Sequence, residues 1–498
     1  MSSPLLAVLG TLAAALAIRV VGARPMLRES ITYAAAAGNL LIVLSMLPTV
    51  LAGGGYETYP YELLPGVAFQ LRTDPFGLLF ALVASTLWLV TSVYSVGYLR
   101  AANVSNQTGY FASFAICVSA TVGIAFAANL FTFFLFYEVL TIATYPLVVH
   151  NRTPEAIAGG RKYLLYTLAA GQVLLIAVIW TAFLEPGANF EPGGFLSAER
   201  FLNRGSLIAL FLLFVLGVGV KAAIMPLHGW LPSAMVAPIP VSALLHAVAV
   251  VKAGVFGILR VIAYVFGVDL LYEVGVAEIL AVAAAITIII ASVRALGETN
   301  LKRRLAYSTV SQLSYVVLGA ALGSVAAVAG AMFHIAAHGF MKITLFFCVG
   351  AIHTQQHVND ASQMKGIGRA MPLTMTAFAV GASGLAGIPL LAGFLSKWNL
   401  GIGALAASQP VFVLVLVASG LLNLAYFYPI VYDAFFRESE VKREEQRGDA
   451  PWTMTVPLVF TALIVLVLGV APDFGFHFYS LAWMAAEQVV SSGVPVSP

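Results

Sequence analysis

Six ionisable residues stand where ionisable residues are costly. Glu138, Lys221, Lys252, Arg260, Lys342 and Lys397 each lie inside a run of apolar residues, where a charge at the centre of a bilayer costs about 2.5–3.5 kcal/mol on insertion scales. Residues of this kind either snorkel to an interface or act on ions and protons. Arg260, near the end of its run, reads as a snorkelling side chain. Glu138, Lys221 and Lys252 lie too deep for that. Burial favours the neutral form of a carboxyl and of an ammonium, and a close opposite charge restores both charged forms. A buried Glu–Lys pair is therefore a two-state device, charged while paired and ready to release the lysine's proton when parted. Glu138 and Lys221 are the candidates for such a pair, although nothing in their spacing brings them together.

His334, His338 and Lys342 fall at i, i+4 and i+8 of one run. In a helix they share a face with neighbours roughly 6 Å apart, a spacing that suits a water-linked file of proton carriers. Packed, hydrogen-bonded histidines are the alternative. A metal pair is the weaker one, since no Glu, Asp or Cys of that run completes a ligand set. His246 precedes Lys252 by six residues, a step that does not put the two on one helix face, and reads equally well as a core histidine. His228 sits between two prolines, Pro226 and Pro232. His150, His353 and His357 fall at the ends of runs and read as solvated.

The elements that hold these residues follow from composition. Of 498 residues, 60% are hydrophobic and 9% charged, and the mean hydropathy is +0.94. That excludes a water-soluble enzyme. Apolar runs lie near 4–22, 31–51, 75–99, 110–127, 129–149, 163–184, 207–235, 239–266, 274–293, 305–322, 325–351, 372–404, 411–436 and 453–472. The expectation is an all-α polytopic membrane protein with about fourteen transmembrane helices and no sizeable soluble domain. The first run reads as a retained helix and not as a signal peptide. The stretch after Asp473, which carries Trp483, reads as interfacial, and the charge-rich loop 437–449 as a solvated face. Cys117 and Cys348 are too few for a disulfide framework or an iron–sulfur set. A net charge of +3 gives no pointer to nucleic acid. The glycines Gly217 and Gly219 lie inside an apolar run, so they make no dinucleotide site.

Of the 25 Lys and Arg residues, 17 collect in one set of alternating loops if the N-terminus is placed outside, from Arg19 and Arg24 to Arg443 and Arg447; the opposite loops hold Arg72, Arg200 and Arg204. The positive-inside rule then puts both termini outside. Two runs contain helix breakers: Pro226 and Pro232 follow Lys221, and Gly384, Gly387, Pro389 and Gly393 precede Lys397. Each break lies beside an intramembrane lysine, which fits an internal repeat whose discontinuous helices mark sites near the midplane.

The stretch from Asn129 to Glu138 resembles the antiporter-like subunits of respiratory complex I, membrane-bound hydrogenases and Mrp cation/proton antiporters. So do Lys221 with Pro226 to Pro232, Pro240 through His246 and Lys252 to Gly254, Leu301 to Gln312, His334 to Lys342, and Gly387 to Lys397, in the family's order. The resemblance covers roughly 70–475. It implies helices 1–3 over 1–109, two inverted five-helix repeats over 110–266 and 274–436, broken seventh and twelfth crossings, and a final helix with its flanking segments over 437–498. It also implies that Glu138 and Lys221 form an ion pair, that Lys252 is the central relay, that His334 and His338 link it onward, and that Lys397 is the far terminal group, with His228, His246 and Lys342 in support. Within the family, length and crossing number are most like the D subunit of Mrp or the M and N subunits of complex I. The stretch His246 to Gly254 looks more like the A or L type, and Lys397, where M-type subunits carry glutamate, speaks against the M type, which leaves the D subunit of Mrp as the first choice.

The function implied is a proton-conducting subunit of a multi-subunit complex in a bacterial inner membrane, with H⁺ and, as a candidate, Na⁺ as its ions, other membrane subunits as partners, and neither cofactor nor metal. A complex I or hydrogenase pumping subunit driven by redox partners is the alternative. A stand-alone solute transporter fits the broken helices but not the file of titratable groups. A quinone or flavin enzyme lacks any cysteine cluster or nucleotide fingerprint.

Overall fold

The computed structural model describes residues 3–438 and 448–490, so Lys442, Arg443 and Arg447 of the charge-rich loop lie outside the described residues. In chain order the principal helices are α1 (Ser3–Val20), α2 (Pro25–Ser45), α3 (Pro75–Ala101), α4 (Gln107–Ala125), α5 (Leu130–Val148), α6 (Pro154–Leu184), α7 (Arg204–Gly219) and α8 (Ile239–Phe266). They continue with α9 (Val276–Gly297), α10 (Leu301–Leu322), α11 (Val325–Gln356), α12 (Pro372–Ala386), α13 (Ala392–Ala406), α14 (Val411–Phe436), α15 (Trp452–Val470) and α16 (Phe478–Val490).

Short polar side chains set the starts. Asp74, Asn129, Thr153, Asn203, Asn300 and Ser324 each accept a hydrogen bond from a backbone N–H three residues on, at 2.7–3.3 Å. This satisfies a donor that the helix cannot. Thr153 starts α6 nine residues before the apolar run, so Arg161 and Lys162 ride on its first turns.

Among the described residues, twelve helices are long and apolar enough to cross a membrane. The seventh and twelfth of the fourteen expected runs are the two that are not continuous. Outer helices turn apolar side chains outward, as α14 does with Val411, Leu414, Val417 and Leu421. That is the face lipid would cover. By contrast α8, α10 and α11 are buried almost throughout. These three carry much of the chemistry, and α11, at 32 residues, is roughly 48 Å long.

The first break follows α7. Ala223 takes a left-handed conformation with φ 57°, and the chain runs through short turns to Val236. Trp230 Nε1 donates at 2.7 Å to the Val220 carbonyl, which also accepts from Ala223 N–H at 3.1 Å, so the tightened turn and the indole together satisfy it. Helix α8 packs directly on this break because residue 254 is glycine: a Cβ there would lie 2.1 Å from Ala222 N and 2.4 Å from the Lys221 carbonyl carbon. Helix α8 also widens to π-type turns over Leu244–Val248 and Val261–Phe266. The second break separates α12 from α13. Gly387 turns the chain with φ 89°, a conformation that suits glycine alone among residues without strain.

Two expectations need correction, at Arg260 and at His150, and two features are added to the all-α architecture, which stands. A two-stranded antiparallel hairpin, β1 (Tyr61–Leu64) and β2 (Val67–Phe69), lies in the loop before α3. Helix α16, in the segment expected to be interfacial, packs Phe478, Leu481, Ala482 and Ala485 against α11 and α3. Its small residues let it approach as a packed helix. Arg260 does not snorkel: it is 1% exposed, and its Nη2 lies 2.7 Å from Asp74 Oδ2, because the carboxylate that caps α3 gives it a partner inside the protein. His150 is also not solvated. It is buried with Nε2 2.9 Å from the Ser105 carbonyl oxygen, and burial holds it below the usual histidine range against the opposing effect of that carbonyl.

The contact at Gly254 gives the first prediction. Gly254→Ala forces α8 off the break and should destabilise the solubilised protein by about 1–3 kcal/mol, whereas Gly38→Ala, with nothing within 4 Å of its added Cβ, should not. Thermal unfolding in detergent checks this; equal midpoints for Gly254→Ala and wild type would contradict it.

Candidate functional site

Lys221 sits at the start of the first break with its side chain wholly buried. Its Nζ donates to the Tyr137 carbonyl at 2.6 Å and lies 3.3 Å from the centroid of the Tyr137 ring. A π face and a carbonyl hold an ammonium without neutralising it. The neighbouring Glu138 packs its carboxylate against α6, where a Cβ on Gly171 would lie 2.4 Å from Oε1, while staying within electrostatic reach of Lys221. That oxygen has no hydrogen-bond partner. Among the described residues Glu138 and Lys221 make no ion pair within 4.0 Å, so the direct pair expected from sequence is not formed in this conformation. The reason is local. Consecutive residues of a helix point about 100° apart, and Lys221 faces Tyr137.

The centre of the site is the contact between α8 and α11. Lys252 Nζ lies 2.7 Å from His338 Nδ1, and both residues are fully buried. As an ammonium Lys252 can only donate, which leaves the hydrogen of a neutral His338 on Nε2. That nitrogen has no protein partner. One turn along α11 the His334 ring stacks at 5.8 Å from the His338 ring, and His334 Nδ1 lies 2.8 Å from Ser396 Oγ on α13. Lys397 follows Ser396. Its Nζ donates to the Leu385 carbonyl at the end of α12 and lies 5.1 Å from the Tyr315 ring, which in turn is 5.5 Å from the His334 ring. Lys252, His338, His334 and Lys397 thus form one connected series, joined at its far end by Ser396 and Tyr315.

Lys342 leaves that series and points to α10, donating to Ser308 Oγ at 3.0 Å and to the Leu305 carbonyl at 3.3 Å. The Tyr426 hydroxyl lies 3.1 Å from Ser308 Oγ and 2.5 Å from Asn423 Oδ1. Gln312 Nε2 donates at 3.4 Å to Asn423 and at 3.5 Å to the same Leu385 carbonyl that receives Lys397. This second path links Lys342 to Lys397, but the amides in it accept and donate without passing a proton on.

His246 stands apart. The π-type turn at Leu244–Val248 aims its ring at Phe346, 4.9 Å away, and neither ring nitrogen has a partner. His228 is half-buried in the first break near Tyr307, at 6.2 Å. Among the described residues no three His, Cys, Asp or Glu side chains group as metal ligands. Tyr137, Ser396, Tyr315, Ser308, Tyr426 and Asn423 were not singled out from sequence. Tyr137 and Ser396 had a signal there as immediate neighbours of Glu138 and Lys397, and Ser308 as a member of the stretch Leu301 to Gln312.

Broken helices, a buried core of three helices and a row of buried lysines and histidines define a polytopic membrane protein with ionisable groups in its interior. Residues 127–422 match the family model described as NADH:quinone oxidoreductase/Mrp antiporter, transmembrane, and the chain belongs to that family. It is 31% identical to NADH-quinone oxidoreductase subunit N of Desulforudis audaxviator (strain MP104C) over 460 residues, 89% of this chain and 90% of that one. It is 29% identical to the A/B component of a probable K(+)/H(+) antiporter of Rhizobium meliloti (strain 1021), covering 87% of this chain but 43% of that longer one. In fold it is similar to a chain of the Mrp complex from Dietzia sp. DQ12-45-1b, with a TM-score of 0.87, 24% identity, and 99% and 98% of the two chains covered.

The Lys252–His338 contact carries the second prediction. His338→Gln keeps an acceptor of similar size beside Lys252 but cannot take and release a proton. Proton transport by the assembled, reconstituted protein should fall more than tenfold, a loss on the scale of removing an acid–base group, with assembly retained. Transport within twofold of wild type would assign His338 to packing.

Proposed function

We propose that this chain is a proton-conducting subunit of a multi-subunit membrane complex. In this reading protons move along Lys252, His338, His334 and Lys397, and Glu138 with Lys221 is the switch that loads the file, with His228, His246 and Lys342 in support. The observation that carries it is the 2.7 Å contact of Lys252 with His338 inside a connected series of buried titratable groups. Membership of the family supports the same reading, since the relatives are antiporter and oxidoreductase subunits by name. In the switch, approach of Glu138 to Lys221 holds the lysine's proton and withdrawal releases it. The two act on each other through space without direct contact, and the proposed switch turns on whether they close to a hydrogen-bonded pair.

The assembly proposed is Mrp-like, with this chain most like its D subunit; Na⁺ is the candidate counter-ion. The 90% coverage of an NADH-quinone oxidoreductase subunit N favours a second reading, a pumping subunit driven by redox partners. Co-purification of the native complex separates the two by what migrates with it. Small membrane subunits without redox proteins select the first, and a redox module selects the second. The location proposed is the bacterial inner membrane with the hairpin side and the N-terminus outside, which agrees with the charge asymmetry of the loops. The segments proposed remain 1–109, 110–266, 274–436 and 437–498, the middle two as inverted repeats. The matched position of the breaks, each next to a lysine, supports that division.

Two substitution sets test the roles. Glu138→Ala and Lys221→Ala should each abolish ΔpH formation by the reconstituted complex, with insertion retained, and Glu138→Asp should keep part of it. Either alanine variant pumping as wild type would remove the switch. At the far end, Lys397→Ala should block turnover while Lys397→Glu keeps a fraction, because a buried carboxyl also titrates. A lysine held only for structure makes the opposite forecast, since reversing its charge is at least as damaging as deleting it. Equal loss in both Lys397 variants would take that residue off the path.

A further inference from the structure

Lys252, Phe256 and Arg260 fall at i, i+4 and i+8 of α8 and so follow one face from the centre of the site toward the hairpin end. Phe256 lies between the lysine and the arginine along that face. Its ring stacks 4.8 Å from Phe80 and 4.4 Å from Phe76. Beyond this layer Arg260 is caged: its Cζ is 5.0 Å from the Phe256 centroid, 4.3 Å from Tyr264 and 5.4 Å from Phe190. The pair partner Asp74 caps Gly77 N with Oδ1 at 2.7 Å and offers Oδ2 to Arg260. The Asp74 side chain is 19% exposed and forms one wall of an open cavity of about 330 Å³ that Glu57, Arg72 and Thr73 also line. Along this face of α8 the aromatic layer and the guanidinium therefore follow Lys252 in turn, and the guanidinium's partner Asp74 stands at the wall of an open, charged cavity.

We propose that Arg260, held by Asp74 in its aromatic cage and backed by Phe256, is the barrier that closes the hairpin end of the file against protons in that cavity; this rests on the proton-conducting reading above. A guanidinium stays charged at every pH a protein meets, so it can neither take a proton nor relay one. Paired with Asp74 it is fixed in place, so the route past it is occupied by a group that cannot hand a proton on. The phenyl layer denies that proton a chain of waters. A file open to both sides at once would dissipate any gradient it made, and the two devices in series prevent it. A purely structural clamp between the α3 cap and α8 explains the ion pair but not the stack of rings on the side that faces Lys252.

The test is passive proton leak through the assembled complex in proteoliposomes, with an imposed ΔpH and no driving reaction. Arg260→Gln and Phe256→Ala should each raise the leak at least tenfold over wild type. Adding Lys252→Leu to either should close it again, because the leak runs into the file. Arg260→Gln vesicles as tight as wild type would overturn the proposal, and so would a leak that persists in the double variant. If Arg260→Gln fails to assemble, the Phe256→Ala arm decides by the same two readouts. Driven transport by the wild type, measured in the same vesicles, keeps failure of the barrier apart from failure of the conducting role.

Discussion

Inside a bilayer every freed carbonyl and every charge has to find its partner within the protein, and the partners chosen here divide the cations into two kinds. Lys221, Lys252, Lys342 and Lys397 meet carbonyls, a hydroxyl, an imidazole and ring faces, and among the described residues none of the four has a carboxylate within 4.0 Å. Arg260 has Asp74 at 2.7 Å. The division follows chemistry. A lysine facing neutral groups can give up its proton without stranding an anion. An arginine cannot give up its proton and is therefore supplied with one.

The helix breaks serve the same economy. Interrupting α7 and separating α12 from α13 leaves carbonyls without their regular helical partners in a place without water, and neighbouring groups take them up: Ala223 N–H and Trp230 at Val220, Lys397 at Leu385. In the second case the group that satisfies the break is itself titratable, so the state of the lysine and the local backbone are tied together. Gly254 completes the first arrangement by letting α8 press on the chain at Lys221 and Ala222, which brings the lysine-bearing segments of two elements side by side.

Much of this was legible in the sequence because charged residues in apolar runs stand out against an insertion cost of a few kcal/mol each. Glu138, Lys221, Lys252, His334, His338 and Lys397 were visible for that reason, and the i, i+4 step of the two histidines survives as a stacked pair. What stayed hidden were contacts between distant crossings made by common residue types. Ser396 joins His334 to the Lys397 segment, yet a serine beside a lysine has no period and no cost to betray it. Arg260 was misread because its distance from the end of the run was visible and Asp74, far earlier in the chain, was not tied to it by any pattern. Glu138 and Lys221 show the converse limit: residue types named the pair, but only geometry showed Lys221 turned to Tyr137. The hairpin before α3 and the packing of α16 were missed because short strands and a short amphipathic helix leave weak signals beside long apolar runs.

Lys252 is where the account is most exposed, since the whole series passes through it. Replacing it with leucine removes the proton carrier while leaving an apolar side chain of comparable bulk, a change that buried sites often tolerate. The decisive measurement is ΔpH formation by the fully assembled complex carrying Lys252→Leu, in sealed vesicles under its driving reaction. The account predicts no gradient above that of protein-free vesicles; a gradient formed at the wild-type rate would contradict it.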